Sequence, residues 1–158
     1  MARELPRDIR LRLADAGSHY RALGLALDEI SATDYEQSLR TRDAAALMRY
    51  AYPIERSFEI LDNYVIELAR LGLDAAGKDS TGSAPAVLQR LRAESVISEA
   101  RRGKLSDVND RRNELQHEYP GARAALVYEA AQVLVAELPG FFRDYAAWLR
   151  ELGFGERP

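Results

Sequence analysis

The sequence predicts an all-α fold, an antiparallel four-helix bundle with additional short helices, and three observations predict it. Apolar residues recur at steps of three and four through long segments, the mark of helices that each bury one stripe. No alternating apolar–polar stretch of useful strand length occurs. Glycines and prolines punctuate the chain between the periodic segments, as the breaks between bundle helices require. With 158 residues, 47% of them apolar, the chain is long enough to bury a sizeable core, and one domain over residues 1–158 is expected.

The first helix is carried by Ile9, Leu13, Ala16, Tyr20, Leu23, Leu27 and Ile30, with Pro6 suited to its first turn. A short polar stretch follows, in which Thr33 and Asp34 are candidate caps. Leu47, Ala51, Ile54, Phe58, Leu61, Val65 and Leu68 define a second long helix from about Thr41 to Leu71. Pro53 lies inside it and is expected to bend rather than end it, because the stripe continues in phase. Residues 72–83, with Gly72, Gly77 and Gly82, read as a mobile loop, and a short helix is expected from about Pro85 to Ala93. Ser106 and Asp107 are expected to open the next helix, and Pro120-Gly121 to stop it. The last long helix carries Leu126, Ala130, Val133, Leu138, Phe141, Tyr145, Trp148 and Leu152, with a bend expected at Pro139.

Composition excludes several chemistries. There is no Cys, and the two His stand 98 positions apart, so neither a thiolate zinc site nor a short-spaced imidazole pair is available. A metal centre would need carboxylates alone, and no cofactor is expected. A formal charge of −3 argues against coating nucleic acid over the whole surface. Residues 88–112 nevertheless hold seven bases against four acids, a local excess whose plain reading is a pair of solvated helix faces. Neither an apolar run of spanning length nor a leader-like segment is recognised, so no membrane association and a cytoplasmic address are expected.

The informative irregularity lies in the segment around residue 112. Its apolar stripe runs Leu105, Val108, position 112, Leu115, position 119, and the last odd sites hold Arg112 and Tyr119. A guanidinium on a buried stripe must find a partner or reach an opening, because an unpaired buried charge costs several kcal/mol. Glu55 and Asp62, seven apart on one face of the second helix, are the candidate partners within the chain. The other possibility is an opening completed by a second copy of the helix. Asn113 and His117 share an adjacent face, and Arg112 lies about 140° round and about 7.5 Å along from His117. In the last turn before Pro120, exposed carbonyls favour imidazolium, so His117 is expected to carry a proton near neutral pH, as general acid or base work requires.

The segment Arg111-Arg112-Asn113-Glu114-Leu115-Gln116-His117-Glu118-Tyr119 resembles the signature of the HEPN superfamily, specifically the HepT-like toxins of HEPN/MNT toxin–antitoxin pairs: Arg, four residues, His, one residue, Tyr. The stretch from Arg49-Tyr50 to Leu71-Gly72 is similar to that family's second helix, and Val87 to Ile97 to its short connecting helices; the likeness covers about residues 42–150. The departure is Pro120-Gly121 directly after the Tyr. The resemblance implies a homodimer whose two motifs meet in a cleft and cleave RNA without metal. In that scheme a ribose 2′-hydroxyl attacks its own phosphate, His117 moves a proton, Arg112 stabilises charge on the phosphoryl oxygens, and Asn113 orients the His or the phosphate. Tyr119 would be the site at which a cognate MNT-type nucleotidyltransferase antitoxin attaches AMP and silences the toxin. The same resemblance allows a second reading, a non-catalytic HEPN module that positions substrate or nucleic acid for a nucleotidyltransferase. His19 is expected to be a partly exposed helix residue, and Phe141, Phe142, Tyr145 and Trp148 to be core or dimer contacts rather than a base-stacking platform.

Overall fold

A computed structural model describes residues 2–116 and 124–155. Helices α1 (Arg7–Glu29), α2 (Ala32–Thr41), α3 (Ala44–Ala46), α4 (Tyr52–Ala75), α5 (Ala84–Ala93), α6 (Glu99–Gln116) and α7 (Ala124–Glu151) account for most of them. The one β feature among the described residues is an isolated bridge between Arg3 and Phe154 near the two chain ends. There the Arg3 guanidinium also lies 4.4 Å from the centre of the Phe154 ring.

The four long helices, α1, α4, α6 and α7, make the bundle, and side-chain pairs fix its directions. Along α1, Arg12 and then His19 meet Glu67 and then Tyr64 of α4, so those two run antiparallel. Along α6, Arg101 and then Lys104 meet Asp144 and then Glu137 of α7, again antiparallel. Helices α4 and α7 run the same way, with Tyr145 donating to the Leu68 carbonyl at 2.6 Å and Trp148 lying against Gly72. Ile9, Leu23, Phe58, Leu61, Leu68, Leu88, Leu91, Leu134 and Phe141 are sealed in the resulting core.

Several element boundaries depart from expectation, each for a physical reason. The polar stretch after α1 is itself a helix, α2. It is opened by Ser31, whose hydroxyl accepts from the Asp34 N–H, rather than by Thr33 or Asp34. Its one strongly apolar face, led by the fully buried Tyr35, is too short to show as a stripe. Pro53 sits in the first turn of α4 directly after a π turn at Leu47–Ala51, in which the Tyr52 N–H reaches back to the Leu47 carbonyl. The additional residue in that turn accommodates the N–H that proline lacks and the bulk of its ring. Helix α4 runs on to Ala75, so Gly72 is a helix residue and not part of a loop. Helix α6 begins at Glu99, ahead of the expected Ser106, because the Ser98 hydroxyl accepts from the Arg101 N–H. In α7, which continues through Pro139, the buried face is Val127, Ala131, Leu134 and Leu138, while Val133 is exposed. The expected stop at Pro120-Gly121 lies outside the described residues.

Of the 72–83 segment expected to be a mobile loop, residues 78–83 are the loop, and two arginines tie it down. Arg70 donates to the carbonyls of Ser80 and Gly82, and Arg90 to those of Asp79 and Thr81. Helix α7 is by length and composition apolar enough to cross a membrane, although here its apolar face forms part of the bundle core.

Helices α4, α5 and α7 all end in the same hydrogen-bond pattern, a six-to-one bond over a five-to-two bond. The residue that turns left-handed is Gly77 after α4 and Gly153 after α7, but Ser95, with φ of 60°, after α5. A side chain in that conformation costs about 1 kcal/mol. Ser95→Gly is therefore expected to raise stability by roughly that amount, read as a higher urea midpoint with an unchanged slope.

Candidate functional site

The site is built where α6 crosses α4. Leu105 and Val108 of α6 are buried as expected, and the next stripe positions carry Asn109 and Arg112. Asp62 of α4 meets them. It is 1% exposed, as is Asn109, and its Oδ2 accepts from both Asn109 Nδ2 and Arg112 Nε, each at 2.9 Å. The Arg112 side chain is 13% exposed. Asn113, on the exposed side of α6, donates from Nδ2 to Asn109 Oδ1 at 3.4 Å. Burial raises the Asp62 carboxyl above the usual aspartate range, against the opposing pull of Asn109 and Arg112.

Of the two compensations open to Arg112, the structure supplies the one within the chain, through Asp62. Glu55, the other candidate partner, is engaged elsewhere: the Tyr35 hydroxyl of α2 donates to its Oε1 at 2.9 Å. Burial raises the Glu55 carboxyl, the Tyr35 hydrogen bond opposes this, and neighbouring Glu59 adds to it. Two carboxylates on one face of α4 thus take different partners, because α2 packs over one and α6 over the other. His117 and Tyr119 lie outside the described residues, as does their placement relative to Arg112.

Each base of the segment 88–112 is paired with a carboxylate, most of them from outside the segment. Arg90 pairs with Asp79, Arg92 and Arg102 with Glu99, Arg101 with Glu137 and Asp144, Lys104 with Glu137, Arg111 with Glu114, and Arg112 with Asp62. The local excess of positive charge therefore meets carboxylates of α4, α7 and the 78–83 loop. Lys104 and Arg101 hold the Glu137 carboxyl below the usual range. Phe141, Tyr145 and Trp148 are core residues, and Phe142 packs against them. His19 is half-buried, edge-on to Tyr64 with ring centres 5.6 Å apart.

Asn109 is the site residue that sequence reading missed. Its signal is a polar side chain four residues after Leu105 and three before Arg112, on the same stripe that Arg112 interrupts.

A family model described as Ribonuclease HepT-like matches residues 19–144, from the middle of α1 to the last turns of α7. The chain belongs to the HepT-like ribonuclease family. The all-helical fold agrees with the HEPN superfamily in which that family stands. The match reaches further back than the resemblance to residues 42–150, taking in the second half of α1. No curated protein and no solved structure matches the chain. Within this HepT-like chain, the matched region holds all of Asp62, Asn109, Arg112, Asn113, His117 and Tyr119.

Proposed function

We propose that this HepT-like chain is a metal-independent endoribonuclease toxin, acting as a homodimer with the two Arg112–His117 motifs at a shared cleft. The observation that carries the reading is an Arg-Asn pair at positions 112–113, five and four residues before His117, in a chain matched over 19–144 by a HepT-like ribonuclease model. The substrate is RNA, because its 2′-hydroxyl is the nucleophile. That oxygen bonds to the adjacent phosphorus as the bond to the 5′-oxygen breaks, leaving a 2′,3′-cyclic phosphate and a free 5′-hydroxyl. His117 moves a proton in this exchange, Arg112 neutralises charge developing on the phosphoryl oxygens, and Asn113 orients the His or the phosphate. A cognate MNT-type nucleotidyltransferase acts as antitoxin by attaching AMP to the Tyr119 hydroxyl, which adds bulk and negative charge beside the phosphate site. The setting of both is the cytoplasm.

The test is RNA cleavage by the purified chain in EDTA, together with growth inhibition on expression. His117→Ala is expected to lower cleavage about 100- to 10,000-fold, the usual contribution of a positioned acid or base, and to relieve toxicity. Full activity in His117→Ala and Arg112→Lys together would remove the site assignment.

One observation favours a second reading, a non-catalytic HEPN module that positions substrate or nucleic acid for a nucleotidyltransferase: Arg112 is mostly buried and paired inside its own chain. In that case the parent chain leaves RNA intact in EDTA while still binding its nucleotidyltransferase.

A further inference from the structure

We infer that Asp62 and Asn109 are positioning residues for the ribonuclease site, clamping Arg112 by its Nε edge so that its terminal amino groups stay available for a phosphate. The inference rests on the ribonuclease reading above and deepens it.

A carboxylate that served only to neutralise an arginine would gain most from the two-pronged pairing that engages two guanidinium nitrogens at once. Here, among the described residues, Asp62 takes the Nε–H alone. Its acceptor atom, Oδ2, is at the same time held by the Asn109 amide. Two donors converging on one oxygen, from residues one turn apart on the same face of α6, fix the carboxylate about its side-chain torsion. The fixed carboxylate in turn fixes the edge of the guanidinium plane.

Asn109 has a second role. Its Oδ1 accepts from Asn113, so the residue that directly follows Arg112 is tied to the same chain of bonds. Both Asp62 and Asn109 are sealed from solvent, which removes water as a competitor for these contacts. A buried ionic group is a poor device for stability, since well-packed apolar residues of similar size often do as well or better. What a buried polar trio adds is orientation, and orientation of a phosphoryl-binding arginine bears on rate: displacement by about 1 Å can cost about 100-fold.

The experiment compares the parent with Asp62→Asn, Asn109→Ser and the double swap Asp62→Asn with Asn109→Asp. The swap keeps the charge count and moves the carboxylate from α4 to α6. Steady-state RNA cleavage is measured at a temperature where circular dichroism shows each variant folded. The expected result is a kcat lowered about 10- to 100-fold in the swap with KM changed less than about two-fold, and a smaller fall in Asn109→Ser. Exchange of the Arg112 Nε–H with solvent, followed by NMR, should be slow in the parent and at least about ten-fold faster in Asp62→Asn, as expected when a buried charge-assisted bond is lost. A kcat equal to the parent's in folded variants, with only thermal stability reduced, would overturn the positioning role. If Asp62→Asn and the swap fail to fold, Asn109→Ser decides it on the same criterion. Arg112→Lys and His117→Ala are measured alongside. Loss of cleavage there with full kcat in the Asp62 and Asn109 variants rejects the clamp alone. A parent chain without cleavage rejects the ribonuclease reading and the clamp's function with it, whatever the exchange rate.

Discussion

Arg112→Ala is expected to destabilise the fold by about 3–5 kcal/mol at neutral pH, the usual result of stripping one partner from a buried ion pair. Against a typical total of about 5–15 kcal/mol, that is enough to confuse loss of folding with loss of catalysis. Truncation leaves the Asp62 carboxylate, 1% exposed in the parent, with Asn109 as its remaining partner among the described residues. The cost should depend on pH, and its sign follows from the direction of the Asp62 shift. Burial already raises this carboxyl above its ordinary value, and losing the guanidinium raises it further. The folded variant therefore binds a proton more readily than the unfolded chain, so its stability falls as pH rises through that window. Relative to the parent, the deficit should be full at neutral pH. It should shrink as pH drops through the raised folded value towards the ordinary aspartate value of about 3.9. Urea unfolding of parent and variant between neutral and mildly acidic pH measures this difference directly. A deficit that stays constant over the range would mean that Asp62 is not the group left uncompensated. Arg112→Lys, which keeps a cation beside Asp62 but not the fork, is the better probe of chemistry.

Gly72→Leu is expected to cost about 3 kcal/mol, the upper end of the usual penalty for overpacking. Even a bare Cβ at this position would lie 2.5 Å from Trp148 Cζ3 and 2.9 Å from both Tyr145 Cε2 and its hydroxyl oxygen. The Tyr145 ring has no room to yield. Tyr145 is fully buried and its hydroxyl is committed to the Leu68 carbonyl, which pushes that hydroxyl's titration upward through burial. A side chain at 72 therefore forces α4 and α7 apart or breaks that bond. For a chain of this length, the corresponding fall in Tm is roughly 6–12 °C. The methyl of Gly72→Ala should show a smaller loss, because alanine regains about 1 kcal/mol of helix propensity. An unchanged Tm for the leucine variant would show that the two helices do not approach this closely.

These two positions illustrate what could and could not be read without coordinates. The bundle was legible because each long helix buries one stripe, and stripe periodicity is a local property of the chain. Arg112 stood out for the same reason, as a charge on an otherwise apolar stripe. Asn109 did not, since asparagine is neutral and a single polar residue is common near the edge of a stripe. Gly72 was misread because glycine has two uses: it turns a chain, or it lets another element come close. Only the position of Trp148 tells which applies. Helix α2 was missed because ten residues show too few repeats for a period to emerge, and its hold comes from Tyr35, which reaches Glu55 of α4 and lies against Tyr128 of α7.

The sequence by itself determined the helical class, the membership signalled by Arg112, Asn113, His117 and Tyr119, and the need for Arg112 to be compensated, because periodicity, residue type and charge are carried by the chain alone. Tertiary structure decided who compensates it. Asp62 and Glu55 are equivalent by spacing on α4, and their fates separate only when α6 delivers Asn109 and Arg112 to one and α2 delivers Tyr35 to the other. Pairings between residues about fifty positions apart depend on how helices cross, and crossing is set by the packing of many side chains at once.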